Sequence, residues 1–290
     1  MSIVQQTYNQ EEKLRSYSNA FSRMALLPIV ENADYSLLNI KIERDRDKIG
    51  KKFNTYSDYL KFAYSELLKN YRCEYVYKNT LISDLLKNYG TKNSIIINEF
   101  RVGNSIADMV LFNGSSKAFE IKSELDSDKR LENQLSDYSK IFRESYIIIH
   151  ESMLHKYKIA DAVGIIILSN EKGKLKLTEI KKAVENKIID VDMLMRCIRT
   201  SEYKNIVLSH FGFLPHVGNC EIYDACKEMM KQIPQEYLQE LFLAEIKKRK
   251  SNNACLKLYH NELKQFCLST NLSKEKYAVF NERLNNLINI

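Results

Sequence analysis

Two acidic residues stand where acids are normally avoided. Asp108 lies in Ile106-Ala107-Asp108-Met109-Val110 and Glu120 in Ala118-Phe119-Glu120-Ile121-Lys122, each flanked by apolar residues. Acids are depleted inside strands and costly when buried, so the placement calls for a positive partner. Glu120 and Lys122 are two apart and therefore share one face of a strand. Carboxylates, bound water and a substrate phosphate make a natural site for Mg2+ or Mn2+. Such an ion lowers the pKa of a water and polarises a phosphodiester, while Lys122 orients that water or neutralises charge developing on the phosphorane.

The turn between the first two strands supplies a third acid. Gly103-Asn104 reads as a two-residue hairpin loop, so Val102 faces Ser105 and, counting back, Glu99 falls opposite Asp108. Like charges so placed destabilise a sheet unless a cation sits between them, which makes Glu99 a candidate ligand beside Asp108 and Glu120. For Glu120 to join that face the turn at Asn113-Gly114 must have an odd loop length or a bulge. The spacing therefore predicts a three-residue loop there. A Glu-x-Lys triplet alone says little: it recurs at Glu11/Lys13, Glu179/Lys181, Glu185/Lys187, Glu245/Lys247 and Glu262/Lys264 among others, mostly in helix-like or exposed polar contexts. Position 120 differs in lying on a strand beside another acid-bearing strand.

The elements that must hold these residues are legible around them. Three β-rich runs cover 94–101, 105–112 and 117–122, followed by a helix at about 128–142, a strand at 146–150, a helix near 151–160, a strand at 164–169 and a hairpin around Lys172-Gly173. Before them, helical periodicity marks 9–25 and 56–70, a charged connection runs through 26–55, and a third helix starts at Thr80 as N-cap and stops at Gly90. From Ile189 onward the patterns are mainly helical, including 191–198, 222–233, 235–250, 255–268 and 274–288. The expectation is an α/β chain: a helical N-terminal region at 1–78, a mixed-sheet core at 79–188 and a helical C-terminal domain at 189–290.

Composition bounds the rest. With 290 residues, 8 Gly and 3 Pro, the chain lacks the turn chemistry of an all-β fold. The formal net charge of +7 permits a polyanionic partner without demanding one. No window approaches a membrane span, and the first residues lack a signal-peptide core, so a cytoplasmic protein with no membrane partner is expected. Six cysteines without CxxC pairing read as buried small hydrophobes. The basic run Lys247-Lys248-Arg249-Lys250 closes a helix, where positive charge suits the dipole, with nucleic-acid backbone binding as the sharper alternative.

The segment from Ser94 to Phe142 resembles the catalytic core of the PD-(D/E)XK nuclease superfamily, whose restriction-endonuclease-like fold has the order αβββαβ. Its Asp on the second strand and (D/E)xK on the third correspond to Asp108 and to Glu120 with Lys122; Ala107 stands where the superfamily name has Pro. More narrowly, IADMVLFNGSSKAFEIKSELDSDKRLENQLSDYSKIF is similar to an uncharacterised bacterial family of such proteins, and the resemblance covers roughly 80–175. It implies that a polar residue on the following helix supports the lysine or touches the phosphate backbone. Arg130, Gln134 and Tyr138 share a face there, with Gln134 the chosen site residue and Tyr138 either a second one or packed on the sheet edge. An additional acid often comes from the helix before the first strand, which adds Asp84 and Glu66 behind Glu99. Ser123 either ends the strand or bonds a phosphate.

The resulting expectation is a Mg2+- or Mn2+-dependent endonuclease acting on nucleic acid, DNA being favoured, with Asp108, Glu120 and Glu99 as metal ligands and Lys122 and Gln134 assisting. Its helical flanks would supply substrate surface, a homodimer contact or a protein partner, and the resemblance suggests bacterial defence or a mobile element as the setting. The rival readings are a non-catalytic nucleic-acid-binding or regulatory protein that keeps the scaffold, and a toxin nuclease held by an immunity partner.

Overall fold

A computed structural model describes residues 3–50, 52–124, 126, 129–171 and 174–289. Five helices come first: α1 (Ile3–Asn19), α2 (Arg23–Asn32), α3 (Ser36–Ile49), α4 (Tyr56–Asn70) and α5 (Glu74–Tyr89). Then follow β1 (Ile95–Val102), β2 (Ser105–Phe112), β3 (Ser116–Lys122), α6 (Leu131–Ser139), β4 (Glu144–His150), β5 (Gly164–Glu171) and β6 (Lys174–Lys181). The remainder is helical: α7 (Val191–Cys197), α8 (Thr200–Phe211), α9 (Ile222–Met230), α10 (Gln235–Lys247), α11 (Lys264–Ser269) and α12 (Lys274–Leu284). The chain is thus a mixed α/β protein with helices at both ends. Among the described residues no helix is long and apolar enough to cross a membrane.

Several local outcomes differ from the sequence expectation for identifiable reasons. The charged stretch at 26–55 carries two helices, α2 with Pro28 inside it and α3, because Leu26, Ile29, Val30, Leu38 and Ile42 give it a buried side. Thr80 is not an N-cap. It sits inside α5, its hydroxyl donating to the Val76 carbonyl at 2.7 Å, while Val76 and Tyr77 extend the buried face one turn back. The stretch 255–268 is short turns followed by α11 rather than one helix, and 151–160 holds only a single 3-10 turn at Glu151–Met153. The tip at Lys172-Gly173 and residue 128, the expected start of the next helix, lie outside the described residues; that helix, α6, begins at Leu131. The helix expected at 9–25 is split, α1 ending at Asn19 and Ser22 capping α2, whereas the one expected at 56–70 is found as α4, behind a capping box in which Thr55 and Asp58 bond each other's backbone.

Contacts group the chain into two compact units, one of residues 1–88, 170–176 and 254–290, the other of residues 89–169 and 177–253. In the first, α1 packs on α4 and α2 on α12, and the Arg283 guanidinium donates to the carbonyls of Ile29 and Val30 at 2.8 and 2.7 Å, closing the C-terminal end of α2.

The sheet has six strands in the order β1-β2-β3-β4-β5-β6. β2 pairs antiparallel with both β1 and β3, and β4 pairs parallel with both β3 and β5. Helices α6 to α10 bury one side of it in a single apolar core, where Phe112 meets Phe100, Phe142 and Phe242 at ring-centroid separations of 5.9, 5.9 and 5.6 Å. Such pairs prefer these tilted and edge-on geometries. The basic run contributes to this packing rather than to a uniform charged surface: Arg249 lies over the Phe100 ring at 5.2 Å and makes two 2.7 Å bonds to the buried Glu202 carboxylate.

Candidate metal and nucleic-acid site

The two turns set the register. Val102 pairs with Ser105, leaving Gly103-Asn104 as a two-residue loop, and Phe112 pairs with Ser116, leaving the three-residue loop 113–115. The Asn113 backbone N–H donates to the Ser115 carbonyl across that loop at 3.0 Å. Continuing both ladders places Glu99, Asp108 and Glu120 in one cross-strand row. The regular ladder ends at Met109–Phe119, however, and at the next step the Asp108 side chain takes over as acceptor, Oδ2 receiving the Ile121 backbone N–H at 2.8 Å. The carboxylate is thereby fixed against β3 by a main-chain donor.

At this row the strands also turn over. The residues of β1 in or against the helix-side core are Ile95 and Ile97, then Phe100 and Val102; on β2 they are Phe112 and Val110, then Ala107. Alternation therefore slips by one residue on each strand without changing the register. Glu99 accounts for it on β1, with a left-handed backbone at φ 56°, an uncommon state for a non-glycine residue inside a strand. Glu99 is exposed and Ile106 is 44% exposed. Among the described residues no group of three or more His, Cys, Asp or Glu side chains is assembled closely enough to hold a metal ion. Glu99 thus shares the row with Asp108 in sequence register, while its side chain does not complete a three-acid cluster.

The rest of the set converges. Glu120 is 2% exposed; its Oε1 accepts from Lys122 Nζ at 2.8 Å, and Lys122 Nζ also donates to Gln134 Oε1 at 3.1 Å. Tyr138, fully buried, puts its hydroxyl 2.7 Å from Glu120 Oε2 and 2.8 Å from the Ile106 carbonyl. One hydroxyl hydrogen serves one of these acceptors at a time, so a proton kept on Glu120 completes the network. The electrostatics agree. Burial first, and then the charge of Asp108, push Glu120 up to about 7 against the opposing pull of Lys122 and Tyr138.

Other candidates take different places. Arg130 is exposed just before α6. Ser123 bonds Asp126 Oδ2 through its backbone N–H and hydroxyl at 2.7 and 2.8 Å, which ends the strand. Asp84, on α5, accepts from Asn88 at 2.9 Å, and Glu66, on α4, lies 3.9 Å from Lys69; both belong to the first unit. One neighbour was not legible in advance. Lys122 is in register with Ile149, so His150 stands one residue beyond it, with Nδ1 3.7 Å from Glu124 Oε1 and accepting the Ser152 backbone N–H at 3.2 Å. Only the parallel pairing of β3 with β4 brings these together, and no sequence spacing announces it.

The family model for bacteriophage P4 protein cII matches residues 68–270. The chain belongs to that family. The matched span includes every member of the Asp108, Glu120, Lys122, Gln134 and Tyr138 set. Protein cII of Enterobacteria phage P4 itself is 27% identical over 201 residues, covering 65% of this chain and 70% of the relative. A solved structure of a protein of unknown function from Silicibacter pomeroyi aligns over 48% of this chain and 93% of its own, at 12% identity and a TM-score of 0.32, too low to support a fold assignment.

The site's donors suit a hard divalent ion. Two carboxylates face each other on adjacent strands, and the repulsion from Asp108 that helps keep Glu120 protonated is the kind a cation relieves. Mg2+ is commonly held by one or two carboxylates with water and substrate phosphate filling the other positions.

Proposed function

We propose that the chain is a divalent-metal-dependent nuclease of the PD-(D/E)XK type with a restriction-endonuclease-like core, hydrolysing phosphodiester bonds of nucleic acid, with DNA as the favoured substrate. The observation that carries this reading is the convergence of Asp108, Glu120, Lys122 and Gln134 from two strands and the following helix. Asp108 and Glu120 would hold Mg2+ or Mn2+, which supplies Lewis-acid polarisation of the phosphate and a water of lowered pKa. Lys122 presents its ammonium beside those carboxylates, placed to neutralise charge on the phosphate oxygens as hydrolysis proceeds. Gln134 holds that ammonium in position, and Tyr138 holds Glu120. Membership of a phage-protein family supports a mobile-element setting.

A second reading has its own support. Both Glu120 oxygens are already engaged, by Lys122 and Tyr138, and Glu99 does not join the acids, which favours a nucleic-acid-binding protein that keeps the scaffold without cutting. The purified chain incubated with supercoiled plasmid, single-stranded DNA and RNA, in Mg2+, Mn2+ or chelator, separates the two. Metal-dependent cleavage of DNA supports the nuclease; binding without cleavage in either metal supports the scaffold.

A further inference from the structure

The first two strands are buried unevenly on the face turned away from α6 to α10. Ile96 and Leu111 pair there across β1 and β2 and both are buried, as is Met109. Beyond the row of Glu99 and Asp108 the same face opens. Arg101 lies between Phe100 and Val102, which both enter the helix-side core, and Ile106 lies beside Ala107, which enters it too, so Arg101 and Ile106 face the other way. They are cross-strand partners, Arg101 exposed and Ile106 nearly half so. Ser105, one residue earlier, turns to the helix side instead, its hydroxyl donating to Asp137 Oδ2 on α6 at 2.7 Å. The end of the β1–β2 hairpin is thus an arm with one side packed and one side bare, and the bare side begins at the row that holds Asp108.

The chemistry of that bare side selects what lies on it. Among the described residues no hydrogen bond or ion pair engages the Arg101 guanidinium. A guanidinium suits a phosphate, which it can hold through two parallel N–H bonds. Ile106 and Asp108 are two apart on β2, so roughly 7 Å of strand separates them, and Arg101 stands directly opposite Ile106. A nucleic-acid strand with its scissile phosphate at Asp108 therefore runs its next units over this pair. Glu99 and Asp108 would by themselves repel such a backbone, and Arg101, two residues beyond Glu99, sets a cation where the anion needs one. An apolar side chain next to it fits a sugar or a base edge.

We infer that Arg101 and Ile106 form the substrate-strand contact beside the metal site, Arg101 taking a backbone phosphate next to the scissile one and Ile106 packing on the adjoining sugar or base. This rests on the reading of the site as one for nucleic acid. The pair binds the strand and takes no part in the chemical step.

Fluorescence anisotropy of the full chain with a labelled DNA duplex of about 20 base pairs, over a salt series, reads binding apart from cleavage. It is run in chelator and again in Ca2+, an oxygen-seeking ion of looser geometry than Mg2+. The wild type is expected to bind, with an affinity that falls as salt rises. Arg101→Ala should weaken binding roughly threefold or more and make the slope of log affinity against log salt shallower by about one, since one phosphate contact is lost. Ile106→Ser should weaken binding about threefold with the slope unchanged, because an apolar contact releases no counterion. Circular dichroism shows each variant folded. Absence of binding by the wild type in both conditions overturns the inference. So does Arg101→Ala with the wild-type slope, or Ile106→Ser with the wild-type affinity. Both losses in a chain that cleaves nothing in Mg2+ or Mn2+ uphold the contact and remove the nuclease reading. Cleavage with unchanged binding by both variants does the reverse.

Discussion

Asp108 and Glu120 stand opposite each other on antiparallel neighbours because the loop joining their strands has three residues, and Asp108 is locked there by the Ile121 N–H at 2.8 Å. Everything else in the site is built around that pair: Lys122 and Tyr138 each take one oxygen of Glu120, and Gln134 takes Lys122.

The loop length is therefore a functional parameter. Deleting Ser115 leaves a two-residue connection and moves Glu120 and Lys122 to the other face of β3. The expected result is loss of Mn2+ binding in calorimetry and a melting temperature lower by roughly 5–10 °C. Inserting two residues, which preserves parity, should leave Mn2+ binding within about threefold. Equal binding by the deletion variant would contradict the register.

Glu120 should make stability fall with rising pH. Its native carboxyl keeps its proton to about 7, whereas the unfolded chain loses it near 4.5. Its contribution is fully present below 4.5, is lost progressively between those values, and is constant above. Glu120→Gln removes that dependence, so chemical denaturation should show the variant gaining on the wild type from pH 4.5 to 7, by roughly 3 kcal/mol at most. Parallel stability curves would show that Glu120 titrates normally.

Gly164 should tolerate no side chain, although its backbone is ordinary. It pairs with Tyr146 across β4 and β5, and a Cβ would come 2.3 Å from the Tyr146 ring and 2.8 Å from the Ala183 nitrogen. Urea unfolding of Gly164→Ala should show a loss of about 3 kcal/mol. Gly114 has open space around it, and its positive φ is the constraint there, so Gly114→Ala should cost only about 1 kcal/mol. Equal costs at the two sites would contradict this packing.

Much of the site was legible because strand periodicity and turn chemistry are local. Gly103-Asn104 and Asn113-Gly114-Ser115 fixed two registers, and with them the row holding Glu99, Asp108 and Glu120. What local signals could not supply was conformation imposed by packing. The left-handed Glu99 and the slip of alternation beside it let Ile95 before it and Phe100 and Val102 after it all enter the helix-side core, so a strand read as regular turns over at its acid. The helices in 23–49 were hidden for other reasons: Pro28 lies inside α2, and in α3 the charges outnumber the buried anchors Leu38 and Ile42. His150 and Glu124 are neighbours only through parallel pairing, which sequence spacing does not encode.

The rate of DNA cleavage in Mg2+ and Mn2+ for the wild type beside Lys122→Ala tests most directly whether Asp108, Glu120 and Lys122 form a nuclease site. Lys122 touches Glu120 and Gln134 but is not a proposed ligand, so its removal should leave Mn2+ binding within about tenfold while the rate falls by a factor on the order of 100 or more. Metal-dependent cleavage by the wild type with that loss is the expected result. Cleavage by neither protein, or equal rates from both, would contradict the assignment of this site.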